Sequence, residues 1–314
     1  MKPFLKWAGG KRQLLPQLRE FYPAAPGAYF EPFVGSGAVF FDLWNGRYLA
    51  GRRVTLSDEN ADLIGCYLRL RDARDEVMTA LALLADGHEQ RGPEHFYDVR
   101  DARFNPAREA WQDESGRAND YSASLAAMLI YLNRTGYNGL FRLNARGRFN
   151  VPVGRYDHPR IVDGPALNAV ADVLATPRIT IEEAPFEHVA DVARAGDLVY
   201  FDPPYAPLSA TASFRSYTAR GFGDEDQRRL QALVIALAKR NVNVLLSNSV
   251  APSVVDLYER DAAMRQAGLH VYRIPARRAI NSKAERRGSI EELLVTNLPR
   301  RTCRQPGAAS PSVE

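Results

Sequence analysis

Cysteine is scarce in this chain of 314 residues, which contains only Cys66 and Cys303. The two lie far apart, and neither has histidine or cysteine neighbours at the spacing of a zinc site. This pattern argues against a disulfide framework and a zinc centre, and it favours a reducing compartment. We therefore expect a cytoplasmic location and no metal.

Long apolar runs are also missing. No stretch approaches the length needed to cross a bilayer, and the N-terminus lacks a signal-peptide core, so we expect no membrane association. With 46% hydrophobic and 25% charged residues, the composition is that of an ordinary globular protein. The net charge of +4 permits an anionic partner without requiring one. Six arginines crowd one short stretch: Arg134, Arg142, Arg146, Arg148, Arg155 and Arg160.

Strand-like and helix-like segments alternate at both ends of the chain. This succession predicts an α/β fold with a parallel, doubly wound, Rossmann-like sheet. About a hundred mainly helical residues interrupt it, enough for a small inserted domain. The predicted strands cover residues 28–31, 53–56, 179–181, 198–201 and 242–247, with a hairpin-like pair at 271–274 and 292–296.

Asp202, Pro203, Pro204 and Tyr205 directly follow the apolar run at residues 198–201. Proline fixes its own φ and restricts the residue before it, so Asp202 and Pro203 have little freedom. A fixed carboxylate and a backbone carbonyl can each accept one N–H of a planar amino group such as adenine N6. Tyr205 can stack on an extruded base. The alternative is an ordinary Pro-Pro turn in which Asp202 is a cap.

Gly35 and Gly37 lie between a predicted strand and a predicted helix, where glycine lets the backbone approach a ligand closely. Asp58 ends the next strand, the usual place for a carboxylate that binds a ribose diol. Phe40 stands where a dinucleotide-binding loop has its third glycine. This favours S-adenosylmethionine, which carries no phosphate, over a dinucleotide. A plain tight turn with a surface aspartate is the alternative.

Residues 133–144 are rich in Asn, Gly and Arg, and the pair Asn138 and Gly139 has the spacing of a hairpin turn. On a hairpin, arginine and asparagine can read base edges, and Tyr137 can fill the gap left by an extruded base. A solvated basic loop is the alternative.

Three further residues have two interpretations each. Trp7 and Lys11 flank a double glycine, and they are either site residues or a core tryptophan and a solvated lysine. Phe186 either lines an adenine pocket or belongs to the core.

Together these segments resemble the Dam-type DNA adenine-N6 methyltransferases, of the D12 class and alpha group. The similarity covers residues 4–296, in the order cofactor loop, target-recognition segment and catalytic strand. Two features depart from the family pattern: Pro185 stands where many relatives have a polar residue, and the polar stretch 103–117 is longer than usual. The matching motifs are residues 6–11, 31–37, 133–144, 149–156 and 202–212.

The resemblance implies methyl transfer from S-adenosylmethionine to adenine N6 in double-stranded DNA, within GATC, by base flipping. It implies a catalytic domain at residues 1–65 and 160–302, and a mainly helical target-recognition domain containing a β-hairpin at 66–159. The tail at 303–314 is expected to be disordered, and the protein to be a nucleoid-associated monomer of bacterial or phage type.

The resemblance also assigns residues to three groups. The catalytic residues are Asp202, Pro203 and Tyr205. The cofactor-binding residues are Trp7, Lys11, Phe33, Gly35, Gly37, Asp58, Phe186 and Asp202. The DNA-binding residues are Lys6, Arg134, Tyr137, Asn138, Leu140, Arg142, Asn144, Pro152 and Tyr156.

Three other functions stay open on the residues alone. A methyltransferase could act on another amine, in RNA or on cytosine N4, although serine in place of Asp202 would suit cytosine better. A DNA-binding protein without activity would not need Asp202 and Tyr205. A nicotinamide oxidoreductase is disfavoured by Phe40 and by the lack of a hydride-transfer partner.

Overall fold

The computed structural model describes residues 1–205, 222–277 and 289–301, except residues 8 and 10. The sequence predictions for residues 8, 10, 206–212 and 302–314 therefore lie outside the described part of the chain.

Seven strands form one sheet, and each strand predicted from the sequence is present within a few residues. They are β1 (Tyr29–Glu31), β2 (Val54–Asp58), β3 (Ile179–Glu183), β4 (Leu198–Phe201), β5 (Asn243–Ser249), β6 (His270–Arg277) and β7 (Ser289–Thr296). The spatial order is β3-β2-β1-β4-β5-β7-β6. The first five strands in that order are parallel, and β7 is antiparallel to β5 and β6. The predicted α/β fold with a Rossmann-like sheet is confirmed.

The central strands are buried on both faces, as expected for parallel strands covered by helices. Every residue of β1 and β4 is buried. In β4, Leu198 and Tyr200 join the larger hydrophobic core on one face, while Val199 and Phe201 join a second core on the other. This alternation explains why the strand appears in the sequence as a continuous apolar run.

Helices cover the sheet and form most of the insertion. Within the described residues the α-helices are α1 (Leu15–Arg19), α2 (Ala38–Asn45), α3 (Ala61–Asp72), α4 (Arg74–Arg91), α5 (Pro93–Asp98), α6 (Asn105–Glu114), α7 (Ala123–Thr135), α8 (Gly164–Leu174), α9 (Val189–Val192), α10 (Asp224–Lys239), α11 (Pro252–Val255) and α12 (Ala262–Gln266). Side chains cap two of the longer ones, because Asn60 accepts the Leu63 amide of α3 and Ser122 accepts the Leu125 amide of α7.

The chain changes its direction across the sheet between β1 and β4. From β1 it proceeds through β2 to β3 on one side, whereas from β4 it proceeds to β5 on the other. The loops at the carboxyl ends of β1 and β4 therefore diverge and leave a crevice, which is where open α/β sheets bind their ligands. Residues 32–37 and 202–205 both leave the sheet at this edge.

The helical insertion shares the larger hydrophobic core with the sheet. That core includes Leu56 of β2 together with three residues of the insertion. These are Leu84 of α4, Phe104 just before α6, and Leu132 of α7. The predicted domain boundary at residues 65 and 66 falls inside α3. The division into a catalytic and a target-recognition domain stays a prediction.

A buried ion pair ties the polar stretch 103–117 to α3. Arg108 of α6 lies 2.7 Å from Asp62, and both side chains are less than a tenth exposed. The guanidinium also donates to the Gly147 carbonyl at 2.7 Å, and the Tyr121 hydroxyl donates to Asp62 at 3.2 Å. This stretch therefore links α3 to the segment that contains Gly147.

Replacing Arg108 by methionine is expected to lower the free energy of unfolding by about 3–5 kcal/mol, since it leaves the Asp62 charge buried without its partner. Arg117→Met is the matched control: Arg117 pairs with Asp120 at the surface, where solvent screens the interaction, and its loss should be far smaller. Chemical denaturation of both variants measures the difference. Equal losses would contradict the role given to Arg108.

Candidate active site

The loop after β1 has two glycines in the left-handed region, with φ of 46° at Gly35 and 67° at Gly37. The Gly35 amide donates to Asp58 Oδ2 at 3.2 Å, and the Tyr67 hydroxyl donates to the Gly35 carbonyl at 3.1 Å. A Cβ atom built on Gly35 would lie 3.0 Å from the ring of Trp7. The loop is thus fixed to the end of β2 and covered by Trp7, with no room for a larger residue.

Asp58 lies at the carboxyl end of β2 and is only partly exposed. Besides the Gly35 amide, it accepts the Asn60 amide at 3.0 Å. Burial raises the pKa of Asp58 to about 6, because the two amide hydrogen bonds offset the lost solvation only in part. At neutral pH the group is a carboxylate, and it is tied into the crevice. Its assignment to the cofactor site stays a prediction.

Aromatic rings line the neighbouring part of the crevice. Phe33 stacks on Phe186, with ring centroids 5.4 Å apart, and Phe222 packs edge-on against Phe33 at 5.7 Å. Phe186 is 1% exposed and belongs to the second core. It can support a ligand only through Phe33 or at its own edge.

Lys11 is buried, which makes the alternative of a solvated lysine wrong: its side chain is 3% exposed. Its Nζ lies 2.9 Å from Asp202 Oδ1 and 3.5 Å from Glu292 Oε2 of β7. It also donates to the Tyr205 hydroxyl and lies 4.2 Å from the centroid of that ring. One ammonium group therefore joins the residues after β4 to the antiparallel end of the sheet.

Asp202 follows β4 immediately, next to the buried Pro203, and its side chain is 20% exposed. Burial raises its pKa to about 6, although the ion pair and hydrogen bond with Lys11 oppose the shift, and the Glu292 charge adds to it. Tyr205 is 39% exposed. The site thus offers a carboxylate and an aromatic ring to the crevice. Glu292 was missed by the sequence analysis, and its only signal is an acidic residue directly before the apolar run at residues 293–295.

The β-hairpin predicted at residues 133–144 is present, but its turn is elsewhere. Antiparallel bridges join Gly136 to Val153 and Leu143 to Phe149, and the tight turn spans residues 144–147. The prediction of the turn at Asn138 and Gly139 was wrong. These residues form a short 3₁₀ turn with positive φ at both, because the Asn133 side chain binds the carbonyls of Gly139 and Lys6 and holds the turn against the N-terminal segment.

The proposed DNA-binding residues differ in exposure. Lys6, Tyr137, Asn138, Arg142, Asn144, Pro152 and Tyr156 are exposed, and Leu140 is half-buried. Lys6 Nζ lies 4.4 Å from the centroid of the Tyr156 ring. Asn144 Oδ1 accepts the amides of Arg146 and Arg148, so this side chain shapes the turn. Arg134 is half-buried and donates to the carbonyls of Phe4 and Arg160. Its guanidinium thus links neighbouring parts of the backbone.

The polar stretch 103–117 and the preceding turn support this hairpin. Asn105 donates to the Phe149 carbonyl at 3.0 Å and accepts the Phe149 amide at 2.8 Å. Glu109 lies 3.0 Å from Arg148. Arg100, in the π-helical turn Val99–Phe104, donates to the Val151 carbonyl at 3.0 Å. Buried polar side chains in a helix must find partners, but the sequence does not show which.

Comparison with known proteins decides the family. The sequence model of the D12 class N6 adenine-specific DNA methyltransferases matches residues 7–279. The chain belongs to this family. It is therefore an adenine-specific DNA methyltransferase, as the resemblance implied, and its substrate is double-stranded DNA. Membership also implies S-adenosylmethionine as the methyl donor.

Relatives of similar length support the assignment. The chain is 39% identical over 309 residues to the Type II methyltransferase M.MjaIII of Methanocaldococcus jannaschii, covering 95% of this chain and 99% of the relative. It is 37% identical to the Type II methyltransferase M1.LlaDCHI of Lactococcus lactis subsp. cremoris, with 95% of each covered. It is 35% identical to the DNA adenine methylase of Escherichia coli K12, covering 99% and 98%.

Likeness to a solved structure is weak. The rRNA methyltransferase aviRa from Streptomyces viridochromogenes aligns with 90% of this chain and 82% of its own, at a TM-score of 0.24 and 18% identity. That likeness is too low to support an argument.

Among residues 1–205, 222–277 and 289–301, no helix is long and apolar enough to cross a membrane. In the same ranges, no group of three His, Cys, Asp or Glu side chains could hold a metal ion.

Replacing Gly35 by alanine should both strain the loop and displace Trp7. The left-handed conformation alone costs about 1–2 kcal/mol for a non-glycine residue. Gly51→Ala is the control, since Gly51 also has positive φ but its new Cβ would meet no described atom within 4 Å. We expect Gly35→Ala to lose more unfolding free energy than Gly51→Ala and to shift the tryptophan emission of the folded protein. Equal losses without an emission change would contradict the packing of Trp7 on this loop.

Proposed function

We propose that this methyltransferase transfers a methyl group to adenine N6 within GATC, after the adenine has been extruded into the crevice beside Asp202. The observation that carries the proposal is the position of Asp202. It stands at the carboxyl end of β4, at the switch point of the sheet, with Oδ1 held by Lys11 and part of the side chain open to the crevice.

The residues around the loop after β1 fit an adenosyl cofactor. Asp58 is an acceptor for ribose hydroxyls, and Phe33, backed by Phe186, offers a ring face to the cofactor adenine. Gly35 and Gly37 keep the loop free of side chains. When bound, S-adenosylmethionine supplies an electrophilic sulfonium methyl group. Trp7 and Lys11 complete this part of the site.

Asp202 activates the target amine. Adenine N6 is a poor nucleophile because its lone pair is delocalised into the ring. In the proposed site Asp202 Oδ2 and the Pro203 carbonyl each accept one N6 hydrogen, which localises the lone pair on nitrogen. Tyr205 stacks on the extruded ring and offsets part of the unstacking cost of about a few kcal/mol. Much of the rate then comes from positioning.

The hairpin reads the sequence. Arg142 is exposed, and its guanidinium is oriented by Asn150, whose Oδ1 and carbonyl accept at 2.8 and 3.3 Å. An arginine held in this way can make a bidentate contact with guanine. Tyr137 is 42% exposed at the neighbouring turn, where it can fill the gap left by the extruded base. The choice of GATC is supported by the resemblance of this segment to the Dam branch.

Asp202→Ala is expected to abolish methyl transfer while leaving DNA binding largely intact, because Lys6 and Arg142 are held by other residues and Glu292 remains as a partner for Lys11. Transfer of labelled methyl groups and a DNA-binding titration measure the two properties separately. Asp256→Ala, which removes an exposed aspartate paired with Arg260, is the control and should behave as the wild type. Wild-type transfer by Asp202→Ala would refute the catalytic assignment.

The rate of the bound complex should fall as the pH drops through about 6, the pKa of Asp202. The carboxylate accepts N6 hydrogens and loses its charge on protonation, so the active form is the one present above the pKa. Below it, the rate should drop about tenfold per pH unit. Because the pKa of Asp58 is also about 6, kcat must be measured at saturating S-adenosylmethionine. A flat profile between pH 5 and 8 would contradict this role.

Arg142→Ala should relax the choice of one base, with a loss of discrimination of about 1–3 kcal/mol at that position. The matched control is Arg155→Ala, another exposed arginine of the same segment. It should weaken binding to all sequences alike if it contacts only phosphates. Methylation rates on GATC and on each single-base variant distinguish the two outcomes. If Arg142→Ala weakened activity on all sequences equally, Arg142 would be a phosphate contact and not a base-reading residue.

A further inference from the structure

Glu292 lies in the centre of the candidate active site, although no motif of the sequence includes it. It is in β7, opposite Ser249 of β5 and Ile274 of β6. Ser249 is the last residue of β5, so antiparallel pairing brings the beginning of β7 to the edge of the sheet where Asp202 leaves β4. The side chain is 15% exposed and lies 3.5 Å from Lys11.

The preceding residue points the other way. Glu291 is about half exposed and pairs with Arg273 at 3.2 Å on the outside of the sheet. Side chains alternate between the faces of a strand, so only Glu292 of the two reaches the crevice.

Lys11 therefore forms ion pairs with two carboxylates at once. Its Nζ lies 2.9 Å from Asp202 and 3.5 Å from Glu292, and its own side chain is 3% exposed. A buried ammonium held on two sides has little freedom to rotate away from either partner. Without the Glu292 carboxylate, Asp202 would be the one carboxylate partner of Lys11 among the described residues.

We propose that Glu292 is a positioning residue for methyl transfer: it shares Lys11 with Asp202, keeps the ammonium on Oδ1 and so leaves Oδ2 for the target amine. This inference rests on the proposed role of Asp202. It assigns to the antiparallel end of the sheet a direct part in arranging the reacting groups.

Sharing Lys11 also affects how well Asp202 takes up a proton. As the N6–C bond forms, the C–S bond breaks with its electron pair remaining on sulfur, and N6 must release one proton. Asp202 accepts it. Lys11 lowers the pKa of Asp202 and Glu292 raises it, so Glu292 makes Asp202 the stronger base. Brønsted behaviour favours a base whose pKa lies near the working pH.

Three further titratable groups near Asp202 in the described part of the chain are neutral near pH 7. Burial raises the pKa of Glu31 at the end of β1 to about 8, and burial also raises the pKa of Tyr200 and of Tyr205. Among the described residues, Lys11 and Glu292 are the groups whose charges act on Asp202.

The test compares kcat from pH 5 to 8 for the full-length wild type, Glu292→Gln and Glu291→Gln, at saturating S-adenosylmethionine and GATC-containing DNA. Glu292→Gln should move the acid midpoint of the profile to lower pH and reduce the plateau by roughly 10- to 100-fold through misplacement of the amine. Glu291→Gln removes the same charge from the opposite face and should reproduce the wild-type profile. An unchanged midpoint in Glu292→Gln, or an equal shift in Glu291→Gln, would overturn the inference.

A conservative variant keeps the test decisive if Glu292→Gln does not fold. Glu292→Asp retains the charge but moves it away from Lys11. We therefore expect the midpoint to shift in the same direction as in Glu292→Gln, with a smaller shift and a smaller loss of rate. A wild-type midpoint and rate in Glu292→Asp would equally contradict the inference. If Asp202→Ala is inactive but the Glu292 variants behave as the wild type, only this inference fails. If Asp202→Ala is active, the proposed function fails with it.

Discussion

A buried ammonium group must be neutralised, and the charge of Lys11 is neutralised by residues from two separate parts of the sheet. Asp202 follows the central strand β4, and Glu292 belongs to the antiparallel strand β7. Removing one partner of a buried ion pair costs about 3–5 kcal/mol. The N-terminal segment, the centre of the sheet and its antiparallel end are therefore held together at the edge where the crevice opens.

The same N-terminal segment holds the other two parts of the site. The Lys6 backbone is fixed to the Asn133 side chain by two hydrogen bonds, and the Lys6 side chain contacts Tyr156, next to the hairpin. Trp7 covers Gly35 of the cofactor loop and stacks on Phe141. Within six residues, the chain thus touches the proposed DNA-reading surface, the proposed cofactor loop and the proposed catalytic carboxylate. A displacement of this segment would disturb all three.

Local sequence predicted the features that depend on local physics. The run at residues 198–201 is apolar because β4 is buried on both faces, and the prolines after Asp202 fix the chain where it leaves the strand. Contacts between residues distant in the sequence could not be predicted from it. Nothing near Lys11 in the sequence shows that Glu292 approaches it, and the residues of α6 that support the hairpin are about forty positions from their partners. The hairpin turn was predicted at Asn138, but the side chain of Asn133 binds this segment against Lys6. Turn propensities are local and do not include such a contact.

The most direct test of the account is the transfer of labelled methyl groups from S-adenosylmethionine to unmethylated DNA, with and without GATC, mapped at base resolution. We expect label on adenine N6 within GATC and nowhere else. Label on adenines in other sequences would keep the family chemistry but contradict the reading of GATC by the hairpin. Tight DNA binding without any label would contradict the central claim that Asp202 activates the amine.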